Sequence, residues 1–443
     1  MVVAGNRSGT PPRVERMSWL ADTRPLGDRH FRRLWTANIV TVVGAQLTVV
    51  AVPAQIYAET GSSAYVGLTG VFGLVPLVVF GLWGGALADV LDRRTLLVCT
   101  TLGMITTSGL FAAQAWSGSG NVWLLLGLFS LQQAFFAVNQ PTRSAVLPRL
   151  LPPHLLPAAN SLSMTVMQAG AIGGPLIAGA LIPLTGFPWL YLVDTLTLVP
   201  TLFAVLSLPP MPIEGVTGSL GAGAVVDGLR YLTSQPVLLM SFLVDIIAMV
   251  FGMPRALFPE IAHLSFGGPD GGGLAFAVLF AGIPLGAVLG GVFSGWVSSV
   301  ARQGLAVVAA VVVWGLAMAG FGGAVALAGT TPGLRTPKLV VAVLMLVVGG
   351  AADMASAAFR TSMLMTAASD DVRGRLQGVF TVVVVGGPRI ADVAHGAVAV
   401  GIGTAATAAG GGLLVVALTV AAAVALPAFV RYRVSVEVAS RSV

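Results

Sequence analysis

The chain is organised around a polar stretch, Gly84-Gly85-Ala86-Leu87-Ala88-Asp89-Val90-Leu91-Asp92-Arg93-Arg94, which separates two long apolar runs. The first run begins near Val66 and the second begins at Thr95. Charged side chains are costly inside a bilayer but not in a tight turn at its surface. The stretch therefore predicts a point where the chain leaves a membrane, turns and enters it again.

Composition supports the same class of protein. The 443 residues are 56% hydrophobic and only 9% charged, and the mean hydropathy is +0.92. Because soluble domains carry about 25% charged residues, the composition predicts an all-α polytopic membrane protein. The net charge of +6 comes mainly from arginines in short loops, so it does not indicate a nucleic-acid partner. The single cysteine, Cys99, excludes an intrachain disulfide.

Twelve apolar segments are long enough, at about 20 residues, to cross the hydrocarbon as helices. We expect them at 33–57, 65–88, 95–116, 122–143, 156–184, 188–208, 237–262, 273–299, 304–328, 338–362, 375–401 and 406–430. The longest polar interruption separates six from six. The expected organisation is an N-terminal tail (1–32), a six-helix bundle (33–208), a linker (209–236), a second six-helix bundle (237–430) and a C-terminal tail (431–443).

The distribution of positive charge predicts the orientation. Of the 23 Lys and Arg residues, Arg255 and Arg389 fall inside spans, and Arg335 and Lys338 lie on one side of the membrane. The remaining nineteen lie on the side that holds both tails and the linker. Because cytoplasmic loops carry the excess of Lys and Arg, both termini and the linker are expected in the cytoplasm.

The opening stretch resembles the loop signature of the major facilitator superfamily, G-x-L-a-D-r-x-G-r-r. Five positions match it: Gly85, Leu87, Asp89, Arg93 and Arg94. Val90 and Asp92 replace the usual Arg and Gly. The resemblance implies twelve transmembrane helices in two six-helix pseudo-repeats around a central cavity, with this loop as part of the gate. The alternative is an ordinary charged turn between two spans.

Further stretches resemble one branch of that superfamily, the bacterial drug and siderophore exporters. They are Phe31–Trp35, Gln140–Arg143 with Ala159–Leu162, Gly252–Pro259, Asp371–Arg375 and Gly386–Arg389. A further pattern in the fifth span resembles the antiporter signature of efflux members, with Ala178 in place of one Gly: Gly170, Gly174, Pro175 and Gly179. Such a helix is bent by its proline and packs closely through its glycines. A generic small-residue packing face is the alternative.

Ionisable side chains inside the spans are candidates for substrate binding or proton coupling, because each costs at least about 2.5–3.5 kcal/mol at a helix centre. Asp245, Asp353 and Arg389 lie deepest, and we expect Arg389 to switch between partners as a carboxylate gains or loses a proton. A static ion pair is the alternative. The other candidates for the same site are Arg255, Asp392, Gln46 and Gln55.

The remaining polar positions have weaker assignments. Arg143 and Arg360 lie at helix ends and are expected, with Arg373, to make gate or loop contacts. Asp194 and Glu260 lie near the outer ends of their spans and are expected to be solvated. His395 follows Asp392 by three residues, which is compatible with a proton relay, but a hydrogen-bonded packing histidine is the favoured interpretation.

Enzyme motifs are missing from the sequence, which contains no G-x-x-x-x-G-K, H-E-x-x-H or G-x-S-x-G pattern. We therefore expect no enzyme, no cofactor and no metal site. The expected function is export of an amphipathic, drug-like small molecule across the inner membrane in exchange for protons, by a functional monomer. Its partners would be the substrate, protons and lipid, without nucleic acid. A dedicated siderophore exporter and a transport-inactive scaffold or sensor are the alternatives.

Overall fold

The computed structural model describes residues 22–211, 230–269, 272–330, 335–367 and 370–433. Within these ranges, the side chains of residues 82–90, 298–299, 330, 365–367 and 370–385 lie outside the description. The predicted tails are described only from residue 22 and up to residue 433, and residues 212–229 of the predicted linker also lie outside the described residues.

The described chain forms twelve long helices and no strand. Their bounds are α1 Arg29–Thr60, α2 Ser63–Val90, α3 Arg93–Ser117, α4 Val122–Leu150, α5 Leu156–Thr185, α6 Phe187–Leu206, α7 Pro236–Gly252, α8 Gly273–Val292, α9 Gln303–Thr330, α10 Arg335–Ala367, α11 Asp370–Ile402 and α12 Thr404–Ala425. Eleven helical segments of the described chain are long and apolar enough to cross a membrane. The all-α polytopic fold class predicted from the sequence is confirmed.

The helices pack mainly with others from the same part of the chain. In the first half, α1 packs on α5 and α6, α4 packs on α2 and α3, and α3 also packs on α6. In the second half, α10 packs on α8 and α9, while α12 packs on α7 and α9. Two seams join the halves, α2 against α11 and α5 against α8.

Helix α7 is interrupted within its span. Met253 has extended backbone (φ −107°, ψ 90°), a 3-10 turn follows at Arg255–Leu257, and a π-helical turn occupies Ile261–Ser265. Pro254 has no backbone N–H with which to continue the helix. The predicted span 237–262 falls within the candidate membrane span Pro236–Ser265, which the structure shows to be broken at this point. The span 273–299 changes from α8 to a 3-10 helix at Ser294–Ser299.

Side chains from two neighbouring helices donate hydrogen bonds to backbone carbonyl groups in the last turn of α7, just before its break. Trp314 of α9 donates from Nε1 to the Ala248 carbonyl over 3.1 Å. His395 of α11 donates from Nε2 to the Phe251 carbonyl over 3.0 Å. Unpaired carbonyl groups are costly in a dry interior, so these two bonds stabilise the interrupted form of α7. They agree with the packing role favoured for His395.

Candidate functional site

A small cleft lies between the two halves, and its empty space of about 370 Å³ includes open solvent at its mouth. Helices α1, α2 and α4 line it from the first half, and α8, α11 and the broken part of α7 line it from the second. Its polar and aromatic lining consists of Thr69, Phe129, Arg255, Phe280, Arg389 and Asp392. Concave sites at the interface of two structural repeats are the usual location of ligands. The cleft is therefore the candidate substrate site.

An ion pair crosses one wall of the cleft. Arg255 donates from Nη2 to Asp392 Oδ2 over 2.9 Å, and the two side chains are 33% and 3% exposed. The break at Pro254 places Arg255 just beyond the end of α7, beside α11. Arg389 lies three residues before Asp392 on the same helix, a spacing at which the two side chains could pair. The structure instead pairs Asp392 with a residue from another helix.

Arg389, one turn before Asp392 on α11, occupies a groove against α2 and α4 of the first half. Its guanidinium lies 5.3 Å from the centroid of the Phe129 ring, in cation–π geometry. A Cβ on Gly73 would lie only 3.1–3.2 Å from this guanidinium, so the glycine makes room for it along α2. Arg389 does not pair with Asp245 or Asp353 in this structure, because both carboxylates neighbour a different arginine. The static ion pair is therefore not observed, and the switching role of Arg389 stays a prediction.

The arginine beside both carboxylates is Arg360. The sequence suggested a position at a helix end, but the residue lies inside the second half. It forms a buried ion pair with Asp245 of α7. Its Nη2 also lies 4.0 Å from Asp353 Oδ1, on its own helix α10. The side chains of Arg360 and Asp245 are 4% and 3% exposed, whereas that of Asp353 is 29% exposed. One cation thus serves two carboxylates in an apolar environment.

The end of the bundle remote from the two chain termini is held closed by contacts between the halves. Glu260, in the second half, accepts hydrogen bonds from the backbone N–H and the hydroxyl of Ser63, the first residue of α2. A carboxylate at a helix N-terminus is favoured by the helix dipole. Glu260 was expected to be solvated; it is half-buried and caps a helix of the other half.

The family model for transmembrane secretion effectors matches residues 20–439. The chain belongs to the transmembrane secretion effector family. Members of this family have the major facilitator fold, so the superfamily resemblance of the sequence is confirmed and the chain is a multi-pass membrane transporter. The predicted inner-membrane location is consistent with this assignment.

Curated relatives of this family member include enterobactin exporters called EntS. The protein of Shigella dysenteriae serotype 1 (strain Sd197) is 27% identical over 430 residues, which cover 91% of this chain and 94% of the relative. That of Citrobacter koseri (strain ATCC BAA-895 / CDC 4225-83 / SGSC4696) is 27% identical over 389 residues, covering 83% and 85%. The similarity therefore extends over nearly the whole length of both proteins.

Solved structures share the fold at lower identity. A point mutant of the nucleoside transporter NupG superimposes with a TM-score of 0.70 at 13% identity, covering 90% of this chain and 100% of that one. A bacterial homologue of the iron transporter ferroportin in an inward-facing state gives 0.66 at 15% identity, covering 91% and 98%. These similarities establish the twelve-helix architecture of the family member and nothing about its substrate.

The loop between α2 and α3 contacts its own half of this transporter. Arg93 donates to the Ala145 carbonyl of α4 over 3.0 Å, and Arg94 donates to the Leu206 carbonyl at the end of α6 over 2.6 Å. Arg143 similarly donates to the Leu34 carbonyl over 3.4 Å. The side chains of Gly85, Asp89 and Arg373 lie outside the described residues, so their gating role stays a prediction.

Asp92 is a structural residue of this loop that the sequence analysis did not single out. Its Oδ1 accepts the Thr95 N–H over 2.9 Å and caps α3, while its Oδ2 accepts the Met211 N–H over 2.8 Å, just after α6. Partial burial alone would raise the pKa of Asp92, but the backbone hydrogen bonds from Thr95 and Met211 together hold it below its usual value. The spacing Asp92-x-x-Thr95 before an apolar run was the available signal.

The glycine pattern of α5 makes close helix contacts. A Cβ on Gly170 would overlap Val42 of α1, and one on Gly174 would overlap Gln46 of α1. A Cβ on Gly179 would overlap Ala277 of α8, at the seam between the halves. Pro175 is buried between these glycines. These contacts explain the small residues by packing, so the antiporter role of the pattern stays a prediction.

Two polar residues of the first half lie away from their expected surroundings. Asp194, which was expected to be solvated, is 1% exposed and accepts hydrogen bonds from Thr48 (2.7 Å) and Ser108 (2.9 Å). Gln55, which was expected to line the cavity, bonds instead to Tyr191 and Gln114. Both networks join α1, α3 and α6 and stabilise the interior of that half.

Proposed function

We propose that this chain exports a siderophore-like small molecule from the cytoplasm in exchange for protons, by alternating access. The observation that carries the proposal is the cleft built jointly by the two halves, with three ionisable groups of the second half, Arg255, Arg389 and Asp392, in its lining. The enterobactin exporters, similar over nearly the whole chain, support a siderophore as the substrate class. The finer assignment therefore favours the siderophore alternative over the drug-like molecule first expected.

The direction of export follows from the proposed orientation. With both termini in the cytoplasm, the end closed by Ser63 and Glu260 faces outward. The cleft is then closed toward the exterior. Substrate would enter from the cytoplasm, and separation of α2 from α11 and of α5 from α8 would release it outside.

Proton coupling is assigned to the cluster of Asp245, Asp353 and Arg360, not to Arg389. Two carboxylates and one guanidinium leave a net charge of −1, so one proton makes the cluster neutral. Asp353 is the more exposed carboxylate and the natural entry point for the proton. Neutralising this cluster lowers the cost of holding it in an apolar environment and so biases the two conformational states.

Helix α7 provides a physical connection between the proton site and the substrate cleft. Asp245 lies before its break and Arg255 lies just after it. A movement of α7 that changes the Asp245–Arg360 contact would also move Arg255 against Asp392. Coupling through one shared helix requires no direct contact between proton and substrate.

Drug efflux is the second candidate, favoured by the antiporter-like pattern from Gly170 to Gly179 in α5. A transport-inactive scaffold is the third. Counterflow in proteoliposomes distinguishes the three, because exchange of labelled for unlabelled compound needs no gradient. We expect exchange of iron-free enterobactin by the wild type, its loss in Arg255→Gln, and its retention in Arg302→Gln, an exposed arginine outside the cleft. Exchange of a macrolide alone would support drug efflux, and exchange of neither compound would support the scaffold.

A further inference from the structure

The cleft has an unbalanced charge. Its lining contains two cations, Arg255 and Arg389, and one anion, Asp392. Asp392 is engaged by Arg255 over 2.9 Å. In the part of the chain that the structure describes, no carboxylate forms an ion pair with Arg389, whose recorded partner is the Phe129 ring. The lining therefore carries one positive charge that the protein does not neutralise.

The guanidinium of Arg389 is available to bind an anionic group of a ligand. A guanidinium has five N–H donors arranged in a fork that matches a carboxylate or another planar anion. The face of the Phe129 ring orients the group but accepts none of these hydrogen bonds in the usual geometry. Holding a cation in an apolar bundle without an anion is costly, so this position favours an anionic ligand.

The surroundings hold Arg389 in one place. Gly73 leaves space along α2 for the guanidinium, and a Cβ there would lie 3.1–3.2 Å from it. Gly70, one turn earlier, allows the α11 backbone to approach at the Arg389 carbonyl. Gly70 and Gly73 of α2 thus allow the backbone and the side chain of Arg389 to pack closely against that helix. Phe129 and Phe280 line the same cleft and supply apolar ring surface beside the charge.

We propose that the cleft selects organic anions and that Arg389, held over Phe129 in the groove beside Gly73, binds the anionic group of the substrate. This inference rests on the proposed function, since it concerns the substrate site of the same transporter. The Arg255–Asp392 pair, one turn farther along α11, lines the same cleft and contributes no net charge. Substrates that carry a cation are disfavoured by the uncompensated Arg389.

The test is a binding assay on the purified full chain with three fluorescent probes of similar shape. These are 2-naphthoate, an anion; 2-naphthamide, its neutral counterpart; and 2-naphthylmethylamine, a cation at neutral pH. For the wild type we expect 2-naphthoate to bind about tenfold more tightly than 2-naphthamide, since charge-assisted hydrogen bonds to an arginine are the strong ones. The cation is expected to bind more weakly than either.

The variants separate binding by Arg389 from a merely structural role. Arg389→Gln should abolish the preference for the anion while changing 2-naphthamide affinity less than about twofold, and Arg389→Lys should retain part of the preference. Gly73→Ala, which displaces the guanidinium without removing it, should reduce the preference as well. Arg302→Gln, at an exposed arginine outside the cleft, should leave it unchanged.

Equal binding of anion and amide by the wild type would overturn the inference. An unchanged preference in Arg389→Gln would also overturn it, as would an equal loss of affinity for both probes. If Arg389→Gln does not fold, the Arg389→Lys and Gly73→Ala variants decide between the same outcomes. The counterflow experiment is independent of this one: exchange without anion preference refutes the inference alone, whereas anion preference without exchange refutes the transport function alone.

Discussion

Arg360 of α10 forms an ion pair with Asp245 of α7 in the interior of the second half, where the two side chains are 4% and 3% exposed. Asp353, one further carboxylate near the same guanidinium, is 29% exposed. The pair joins two helices that are far apart in sequence. A buried pair of this kind contributes little net stability when intact, but removal of one partner leaves a buried charge uncompensated.

The first prediction follows from that asymmetry. Arg360→Met should lower the free energy of unfolding by about 3–5 kcal/mol, because Asp245 loses its counter-ion. Thermal unfolding of the purified protein in one detergent, followed by tryptophan fluorescence, measures the change. The double variant Asp245→Asn with Arg360→Met should be more stable than Arg360→Met alone. A double variant whose loss equals the sum of the two single losses would contradict an ion pair at this place.

Sequence reasoning performed well where the relevant physics is local. Apolar length decides whether a segment can span a bilayer, so the helix positions were predictable, including Arg29–Thr60 and Val122–Leu150. Asp353 and Arg360 are seven residues apart, a spacing that puts them on one face of α10. The spacing could not identify Asp245 as the partner of Arg360, because that contact depends on how α7 packs against α10.

The same limit explains the errors. Asp194 looks solvent-accessible from its position in the sequence, but α1 and α3 cover it and their hydroxyl groups bind it. Arg389 and Asp392 have suitable spacing for a pair along one helix. The break at Pro254, however, places Arg255 beside Asp392, and these two residues form the ion pair. The break itself had a visible signal in Gly252-Met253-Pro254, which the apolar run around it obscured.

The second prediction concerns orientation. Both termini are expected in the cytoplasm, because their side holds most of the 23 cationic residues even when Arg360 is counted inside the bundle. In a Cys99→Ser background, Ser119→Cys lies at an exposed turn remote from the termini, and Ser234→Cys lies exposed at the end of a short helical stretch just before α7. An impermeant thiol reagent added to intact cells should label Ser119→Cys only. Labelling of Ser234→Cys with Ser119→Cys unlabelled would reverse the topology.

The third prediction concerns the closed end. Glu260→Ala removes the carboxylate that caps α2 from the other half, a contact for which about 1.5–3 kcal/mol is typical of charged hydrogen bonds. Opening toward the exterior should become about tenfold more frequent. The rate at which an external thiol reagent reaches Thr69→Cys, a residue lining the cleft, reports this change in a Cys99→Ser background.

Glu59→Ala is the matched control for that measurement. Glu59 lies near the same end of the bundle, but its hydrogen bond is to Gln55 of its own helix. The Glu59→Ala variant should leave the labelling rate of Thr69→Cys unchanged. If Glu59→Ala and Glu260→Ala increase the rate equally, the effect reflects general loosening of that end and not a specific contact between the halves.

The fourth prediction concerns Asp92. Asp92→Ala should lower the free energy of unfolding by about 1 kcal/mol, because α3 loses its cap. Asp92→Ser should recover the cap but not the bond to Met211, and so should be intermediate. Because the folded-state pKa is lowered, the stabilisation is present above the unfolded pKa, about 3.9, and is lost as the pH falls through the folded value. The wild type should therefore lose its advantage in free energy of unfolding over Asp92→Asn as the pH falls. An advantage that persisted at lower pH would contradict a lowered folded-state pKa.

Uphill transport in proteoliposomes with an imposed pH gradient tests proton-driven export most directly. The account predicts that the wild type accumulates labelled iron-free siderophore against its gradient, and that a protonophore abolishes the accumulation. Asp245→Asn and Asp353→Asn should each retain counterflow but lose uphill transport. Each variant removes one of the two carboxylates beside Arg360, so the cluster is already neutral without binding a proton. Uphill transport at the wild-type rate in both variants would contradict the assignment of coupling to this cluster, and accumulation that ignores the pH gradient would contradict proton exchange altogether.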